Sequence, residues 1–211
     1  LVRKPGADPR QGYFDGQAFY HPELKFQVVF PAGWRTNNGF SAVTGLAEKQ
    51  DGLLQLELGG TEPIATQLQT FLAQQGVTAG ATSKAAVNGL PAVSAQFGAQ
   101  LEKGPVKGYI AFITYGGRNY RLLAIATDAQ FAAYDAPMRV WARSFRPLTD
   151  AARINVRPTR IKIVKLGGPM TVTAFNTRYP SVIPVDRVAL LNGVATDATF
   201  PAGKLVKQVV K

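Results

Sequence analysis

Residues 83–127, SKAAVNGLPAVSAQFGAQLEKGPVKGYIAFITYGGRNYRLLAIAT, decide the fold of the first part of the chain. Two pairs of turn residues, Asn88-Gly89 and Gly116-Gly117, divide this stretch. Both central positions of a type I′ turn need a positive φ, which Asn and Gly accept, so each pair predicts a β-hairpin. The strands joined in this way are residues 83–87 with 92–101, and residues 106–115 with 119–127.

A third hairpin is predicted upstream, where Asp51-Gly52 separates residues 40–49 from residues 53–58. Before it, apolar residues alternate along residues 25–30, which indicates a half-buried strand. The buried side of that strand is Phe26, Val28 and Phe30. Three hairpin signals along one segment predict an antiparallel sheet.

Two helices are predicted to cover this sheet. Thr61 is the expected N-cap of the first, with Pro63 in its first turn. Asp135 is the expected cap of the second, with Pro137 in its first turn. The apolar faces are Ile64, Leu68, Phe71 and Leu72 in the first helix and Met138, Trp141 and Phe145 in the second. Large aromatic residues dominate burial in small cores, so Trp34 and Trp141 are expected where helix and sheet meet.

A domain boundary is predicted in residues 147–158, PLTDAARINVRP, which contain prolines, small residues and charges but no apolar period. We place the first domain at residues 15–148, after an arm at residues 1–14 that is rich in Gly, Pro and charge. A linker at residues 149–156 then leads to a second domain at residues 157–211.

The second domain is predicted to run strand, helix, helix, strand. In the first strand Ile161 and Ile163 point one way, and Arg160, Lys162 and Val164 point the other, with the charged side outward. The helices are expected to begin at Gly168-Pro169 and at Pro184. Their inward residues are Val172, Phe175 and Tyr179, then Val188 and Leu191, with Gly193 as the stop and residues 205–210 as the last strand.

Positive charge is concentrated near the end of the chain. Residues 1–150 hold 14 Lys/Arg and 11 Asp/Glu, a net charge of +3, whereas residues 151–211 hold 10 and 2, a net charge of +8. Such a field attracts anionic polymers and surfaces, although a solvated cationic face that aids solubility remains the alternative. The candidate residues for binding a polyanion are Arg153, Arg157, Arg160, Lys162 and Lys165. Nucleic acid is disfavoured as the partner, because the sequence contains no nucleic-acid-binding motif.

Residues for catalysis are scarce. The chain has no cysteine, and its one histidine, His21, is expected to bond backbone or pack beside Tyr20. A zinc peptidase site needs two histidines and a glutamate base, and neither a GxSxG nucleophile nor a phosphate-binding glycine loop occurs. We therefore expect no catalytic residue, metal site or cofactor in this chain. No apolar run approaches the ~20 residues that a membrane helix needs.

Residues 19–39, FYHPELKFQVVFPAGWRTNNG, resemble the segment that follows the catalytic domain in bacterial periplasmic zinc metallopeptidases distantly similar to the CAAX prenyl proteases. Residues 8–12, DPRQG, resemble the linker of those proteins, and residues 144–149 and 190–193 also match. The HExxH motif of that family is absent from this chain. The resemblance therefore implies a non-catalytic C-terminal region, with zinc only in a missing catalytic domain. The start at Leu1 is expected to mark an excised piece or a mature form.

Each domain also resembles a known module. The order β-meander, helix, β-meander, helix resembles the PsbP-like α/β sandwich. In the second domain, LNGV at residues 191–194 and PAGKL at residues 201–205 resemble the second half of a LysM pattern. A LysM carries Gly-Asp-Thr-Leu where this chain has GGPM at residues 167–170, so the fold is expected to survive better than sugar binding. The resemblance implies a glycan groove at Gly167, Gly168, Met170, Asn192, Pro201 and Gly203.

These expectations combine into an α+β chain with a PsbP-like antiparallel sheet, covering helices and a small βααβ LysM-like domain. Its expected function is that of a non-catalytic accessory region of an exported metallopeptidase, positioning enzyme or substrate at the bacterial envelope, in the periplasm or otherwise outside. The expected partners are its own catalytic domain and peptidoglycan or an anionic envelope surface. The alternative is a free-standing periplasmic or lipoprotein-derived module that binds peptidoglycan or another polyanion.

Overall fold

The computed structural model describes residues 8–211, which form two compact units. The first ends at Val156 and the second spans Arg157–Lys211. The first unit is built on two antiparallel sheets. The smaller sheet contains β1 (Tyr13–Asp15), β2 (Ala18–His21) and β3 (Phe26–Val29), and the larger contains β4 (Arg35–Asn38), β5 (Ala42–Leu46), β6 (Gly52–Leu58), β7 (Val77–Ser83), β8 (Ala92–Leu101), β9 (Gly104–Tyr115) and β10 (Arg118–Thr127).

The seven strands of the larger sheet lie in the order β4-β5-β6-β10-β9-β8-β7, so β4 and β7 are its two edges. A last strand, β11 (Arg146–Pro147), joins the smaller sheet beside β3. The two faces of the larger sheet bury different side chains. One face packs against α1 (Ile64–Leu72), and the other packs against α2 (Phe131–Arg143) and the smaller sheet. The prediction of an α+β fold with an antiparallel sheet and covering helices is confirmed.

The two glycine-containing turns of residues 83–127 are confirmed. Asn88 and Gly89 have φ values of 49° and 78°, and Gly116 and Gly117 have values of 57° and 72°. The strand predicted at residues 83–87 is wrong, because β7 ends at Ser83. Only a single bridge between Val87 and Leu90 closes the Asn88-Gly89 turn within the longer connection from β7 to β8.

The hairpin between β5 and β6 is confirmed, but its predicted turn is wrong. The turn lies earlier, where the Gln50 N–H donates to the Ala47 carbonyl at 2.9 Å and Gln50 takes a φ of 60°. Gly52 opens β6 and is required for space, because a Cβ at Gly52 would lie 2.9 Å from Cη2 of Trp34. Trp34 is buried in the core of this unit, as predicted.

Both helices of the first unit begin elsewhere than predicted. Pro63 is the N-cap of α1, so Thr61 is not, although the predicted apolar face does pack against the sheet. The second helix begins at Phe131, before Asp135, and it contains Pro137. Phe131 and Tyr134 pack against the core, and this packing outweighs the backbone hydrogen bond that an interior proline removes. Two of its predicted inward residues, Met138 and Trp141, are fully buried; the third, Phe145, is also buried but lies past the end of the helix at Arg143.

The segments expected to be an arm and a linker contain regular structure where they are described. Residues 1–7 of the arm lie outside the described residues. Asp8 caps a single 3-10 turn at Pro9–Gln11, and β1 follows it. The linker at residues 149–156 contains the short helix α3 (Ala151–Ile154), whose N-terminus is capped by the Asp150 carboxylate at 2.9 Å from the Ala152 nitrogen.

The second unit has the predicted order of strand, helix, helix, strand. Its elements are β12 (Arg160–Lys165), β13 (Met170–Thr171), α4 (Val172–Arg178), α5 (Val185–Leu191), β14 (Thr199–Phe200) and β15 (Leu205–Val210). Antiparallel pairs form between β12 and β15 and between β13 and β14. The helix expected at Gly168 begins instead at Val172, because Thr171 supplies the cap through its Oγ1, 3.1 Å from the Ala174 nitrogen.

The core of the second unit is built from helix and strand residues that include Phe175, Val188 and Val206. None of the helices in the described part of the chain is long and apolar enough to cross a membrane.

Candidate binding surface

Arg153 belongs to the first unit, where it is already paired. Its Nη1 lies 2.6 Å from Oδ2 of Asp15, and its guanidinium lies over the Tyr20 ring at 4.7 Å from the centroid. Its carbonyl accepts a hydrogen bond from the Tyr13 hydroxyl at 3.3 Å. Hydrogen bonding to Asp15 raises the pKa of Arg153 above its usual value. These contacts tie α3 to the smaller sheet.

The direction of the side chains on β12 is opposite to the prediction. Ile161 and Ile163 are 58% and 53% exposed, whereas Val164 packs against the core of the second unit. Val164 lies directly across from the fully buried Val206 of β15, and this pair fixes which face of the two strands is inward. The two isoleucines therefore point away from the core.

The outer strand face, as we name it, consists of Ile161, Ile163, Lys165, Leu205 and Lys207. Ile163 lies across from Lys207, and Lys165 lies across from Leu205, which is 60% exposed. Aliphatic and cationic side chains are thus adjacent on one surface. Neither lysine has an acidic partner within residues 8–211, although Lys207 Nζ donates to the Leu191 carbonyl at 3.3 Å.

The other predicted cationic residues lie elsewhere on the second unit. Arg160 and Lys162 are exposed on the face of β12 that carries Val164, and Arg157 is exposed before the strand. The five cations of the sequence prediction are therefore not gathered on one surface. Lys165 joins Lys207 on the outer strand face, Arg160 and Lys162 share the opposite face, and Arg153 is paired in the first unit.

The two loops predicted to form a glycan groove lie side by side. The Gly203 N–H donates to the Leu166 carbonyl at 2.8 Å, and the Leu166 N–H donates to the Lys204 carbonyl at 3.0 Å. Met170 pairs with Phe200 across β13 and β14. Gly167, Pro201 and Gly203 are exposed along these loops, while Gly168 and Met170 are half-buried.

Asn192 connects α5 to β15 through its side chain. Its Oδ1 accepts the Lys207 N–H at 2.8 Å, and its Nδ2 donates to the carbonyls of Lys207 and Val188 at 3.0 and 2.9 Å. An asparagine amide has two donor hydrogens, and both are used here. Asn192 therefore holds the two elements together.

His21 makes the backbone contact that was predicted for it. Its Nδ1 accepts the Leu24 N–H at 3.2 Å, and its ring packs against Phe26 at 5.2 Å between centroids. Burial lowers the pKa of His21 to about 4, so the ring is neutral at neutral pH. No group of three or more His, Cys, Asp or Glu side chains placed to hold a metal ion occurs among the described residues.

Sequence reasoning overlooked the contribution of β15 to the outer strand face. The last strand reads LVKQVV, in which Leu205 and Lys207 occupy alternate positions. That alternation could have placed them on one face. What the sequence does not reveal is which face of β12 they join, because this depends on the pairing register.

No protein-family model and no curated protein matches this chain. Its structure is similar to that of the cyanobacterial PsbP protein CyanoP from Synechocystis, with a TM-score of 0.49 and 12% identity over 62% of this chain and 91% of that chain. It is also similar to LpqN, a Mycobacterium tuberculosis protein involved in cell envelope biogenesis, with a TM-score of 0.47 and 15% identity over 59% and 83% of the two chains. A protein from Bacteroides thetaiotaomicron gives a TM-score of 0.46 and 13% identity over 79% and 59%. Similarities of this size do not say what the chain does.

Proposed function

We propose that this chain is the non-catalytic accessory region of an exported zinc-dependent metallopeptidase, and that its second unit holds the enzyme or its substrate at an anionic lipid surface of the cell envelope. The observation that carries the binding proposal is the outer strand face, where Lys165 and Lys207 stand among exposed aliphatic side chains. The second unit as a whole holds nine Lys/Arg and two Asp/Glu in residues 157–211, a net charge of +7.

A lipid surface suits this mixture of side chains. Each Lys or Arg near an anionic membrane contributes about 1 kcal/mol, and apolar side chains that enter the headgroup boundary add to this. Ile161, Ile163 and Leu205 are exposed on the same face as the two lysines, so both contributions act from one side of the unit. A purely polar polymer would gain nothing from the three aliphatic residues.

The association with a metallopeptidase rests on the resemblance of residues 19–39, 144–149 and 190–193. With one histidine and no cysteine, the chain has no HExxH motif of its own. Zinc would therefore be bound by the catalytic domain of the parent protein, and that domain is the proposed partner of this region.

Co-sedimentation of the whole chain with vesicles tests the membrane proposal. We expect binding to vesicles that contain phosphatidylglycerol and at least about tenfold weaker binding to purely phosphatidylcholine vesicles. Lys165→Glu with Lys207→Glu should abolish this binding. The matched control, Arg178→Glu with Arg187→Glu, makes the same charge change on the exposed sides of α4 and α5. An equal loss of vesicle binding in both double variants would show that only total charge matters and would contradict the proposed surface.

A free-standing peptidoglycan-binding module is the second candidate, and the side-by-side placement of the loops around Gly167 and Gly203 favours it. Such binding should persist at high salt, compete with soluble N-acetylglucosamine oligomers and survive Lys165→Glu with Lys207→Glu. The gene upstream of Leu1 separates the two contexts. An HExxH helix encoded there supports the accessory region, and a signal peptide or lipobox ending near Leu1 supports the free-standing module.

A further inference from the structure

A cleft of about 380 Å³ lies in the first unit between the end of α2 and the edge strand β7. Its floor is formed by Ser94, Gln96 and Tyr109 on β8 and β9. One wall carries Arg139 and Arg143 of α2, and the other is the connection that follows β7. Volumes of ~300–1,000 Å³ are typical of small-molecule sites.

The polar floor begins where α2 stops covering the sheet. The helix packs over β9 and β10, so β8 extends beyond it. On the helix side of β8, Ala92 belongs to the core, but the next two positions on that side are Ser94 and Gln96. The opposite side of β8 stays apolar throughout, with Val93 and Phe97 in the cluster under α1. The change from apolar to polar is therefore confined to the cleft.

Ser94 contributes a hydroxyl to the floor of the cleft. The residue is only 8% exposed, and its hydroxyl makes no hydrogen bond to any of residues 8–211. The hydroxyl oxygen is not closed off from solvent, so it is free to bond water or a ligand from the cleft. The cleft has space for a ligand because small side chains line it, including the alanines at 81, 85, 86, 111 and 142.

The charge of the cleft is positive. Arg139 is neutralised by Asp135, with Nε 2.9 Å from Oδ1 and Nη2 2.8 Å from Oδ2. Gln96 donates to the same Asp135 oxygen at 3.4 Å. Arg143 lines the cleft one helical turn later and has no acidic partner in the described part of the chain. No carboxylate is among the described residues that line the cleft.

We propose that this cleft binds a single sugar unit that carries a carboxylate or a phosphate. The Arg143 guanidinium would pair with the anionic group, since its fork of donors matches both carboxylate and phosphate. Ser94 and Gln96 would bond sugar hydroxyls, and Tyr109 supplies an aromatic side chain for the ring. An inorganic anion alone would leave most of the cleft unfilled. This site lies in the first unit and is independent of the envelope-binding proposal for the second.

Amide chemical shifts of the ¹⁵N-labelled whole chain test this site. The probes are glucuronate and glucose 6-phosphate, with glucose and inorganic phosphate as comparisons. We expect the acidic sugars to shift amides around Ser94 and Arg143 and to bind at least tenfold more tightly than either comparison. Arg143→Gln should reduce their affinity to about that of glucose, and Ser94→Ala should reduce it about three- to tenfold.

Arg35→Gln is the matched control, because it removes the same charge at β4, the opposite edge of the seven-stranded sheet. It should leave both affinities unchanged. Amide spectra of each variant without ligand establish that the variant is folded. The proposal is overturned if neither acidic sugar binds, if Arg35→Gln weakens binding as much as Arg143→Gln, or if inorganic phosphate binds as tightly as glucose 6-phosphate.

Discussion

The side-chain nitrogen of Asn88 lies 2.8 Å from the carbonyl oxygen of Phe145, so a turn between two strands is tied to the segment two residues past the end of α2. The same nitrogen donates to the Arg143 carbonyl at 2.8 Å. Carbonyls at a helix C-terminus lack partners within the helix, and Asn88 supplies one from across the unit. The residue thus combines the positive φ of a type I′ turn with a cap for α2.

Asn88→Ala should lower the free energy of unfolding of the first unit by about 1–3 kcal/mol, because it removes both hydrogen bonds and strains the backbone. Asn88→Gly restores the backbone freedom but not the bonds, so it should lie between Asn88→Ala and the wild type. Urea denaturation followed by tryptophan fluorescence measures both. An unchanged midpoint for Asn88→Ala would contradict the capping role.

Gly52→Ala should destabilise the first unit by about 1–3 kcal/mol, because an added Cβ overpacks the core. That atom would lie 2.9 Å from Trp34 and 3.2 Å from Tyr134. The control is Gly167→Ala, where a Cβ would meet nothing within 4 Å and the backbone does not require glycine. Thermal melts of the two variants should differ clearly. Equal melting temperatures would mean that the core around Trp34 yields easily.

The parts of the fold that could be predicted from sequence are those set by local chemistry. The Gly116-Gly117 turn and the apolar face containing Leu68 depend on residues close together in the chain. The start of α2 could not be predicted from local sequence. Proline favours the first turn of a helix, which would place the start near Asp135, but Phe131 packs against strands that are far away in sequence and extends the helix upstream.

The outer strand face was missed for a similar reason. In β12 the alternation of isoleucines with Arg160 and Lys162 predicts the charged side outward and the isoleucines inward. The pairing of Val164 with Val206 decides which side of β12 faces the core, and Val206 belongs to β15, the last strand of the unit. The cleft at Ser94 likewise depends on where α2 stops covering β8, and no local pattern carries that information.

His21 should make stability depend on pH. Its pKa is lowered by burial to about 4, against about 6.5 in the unfolded chain. Below pH ~6.5 His21 becomes protonated in the unfolded state, but in the native state it stays neutral down to pH ~4. The free energy of unfolding therefore falls as the pH decreases through this window. The loss is at most about 3 kcal/mol.

His21→Gln removes this titration. Urea midpoints of the wild type and this variant should therefore converge on lowering the pH from 7 to 4.5, since only the wild type loses the contribution of His21. Carboxylates titrate in both proteins and cancel in the difference. Parallel pH profiles would show that the ring is accessible to protons in the folded chain.

Asn192→Ala should destabilise the second unit by about 1–3 kcal/mol, because the backbone N–H and carbonyl of Lys207 both lose their hydrogen bonds to the Asn192 side chain. Asn176→Ala is a milder change in the same unit, since Asn176 accepts a single bond from Ser181. Hydrogen exchange of the Lys207 amide reports the effect directly. If Asn192 served a glycan instead, its loss would weaken binding to chitin fragments and leave this amide protected.

The outer strand face should bind vesicles through two separable contributions. Ile161→Ser with Ile163→Ser keeps every charge, so binding to phosphatidylglycerol vesicles should persist at low salt and be lost as salt increases. Screening acts on exposed charges within about 8–10 Å, whereas burial of apolar side chains resists it. The wild type should therefore retain measurable binding above physiological salt, and the double serine variant should not. Identical salt profiles would show that the isoleucines stay out of the membrane, leaving the lysines alone as the binding residues. Absence of binding by the wild type at any salt would remove the lipid surface as a partner and favour docking of this face against the catalytic domain.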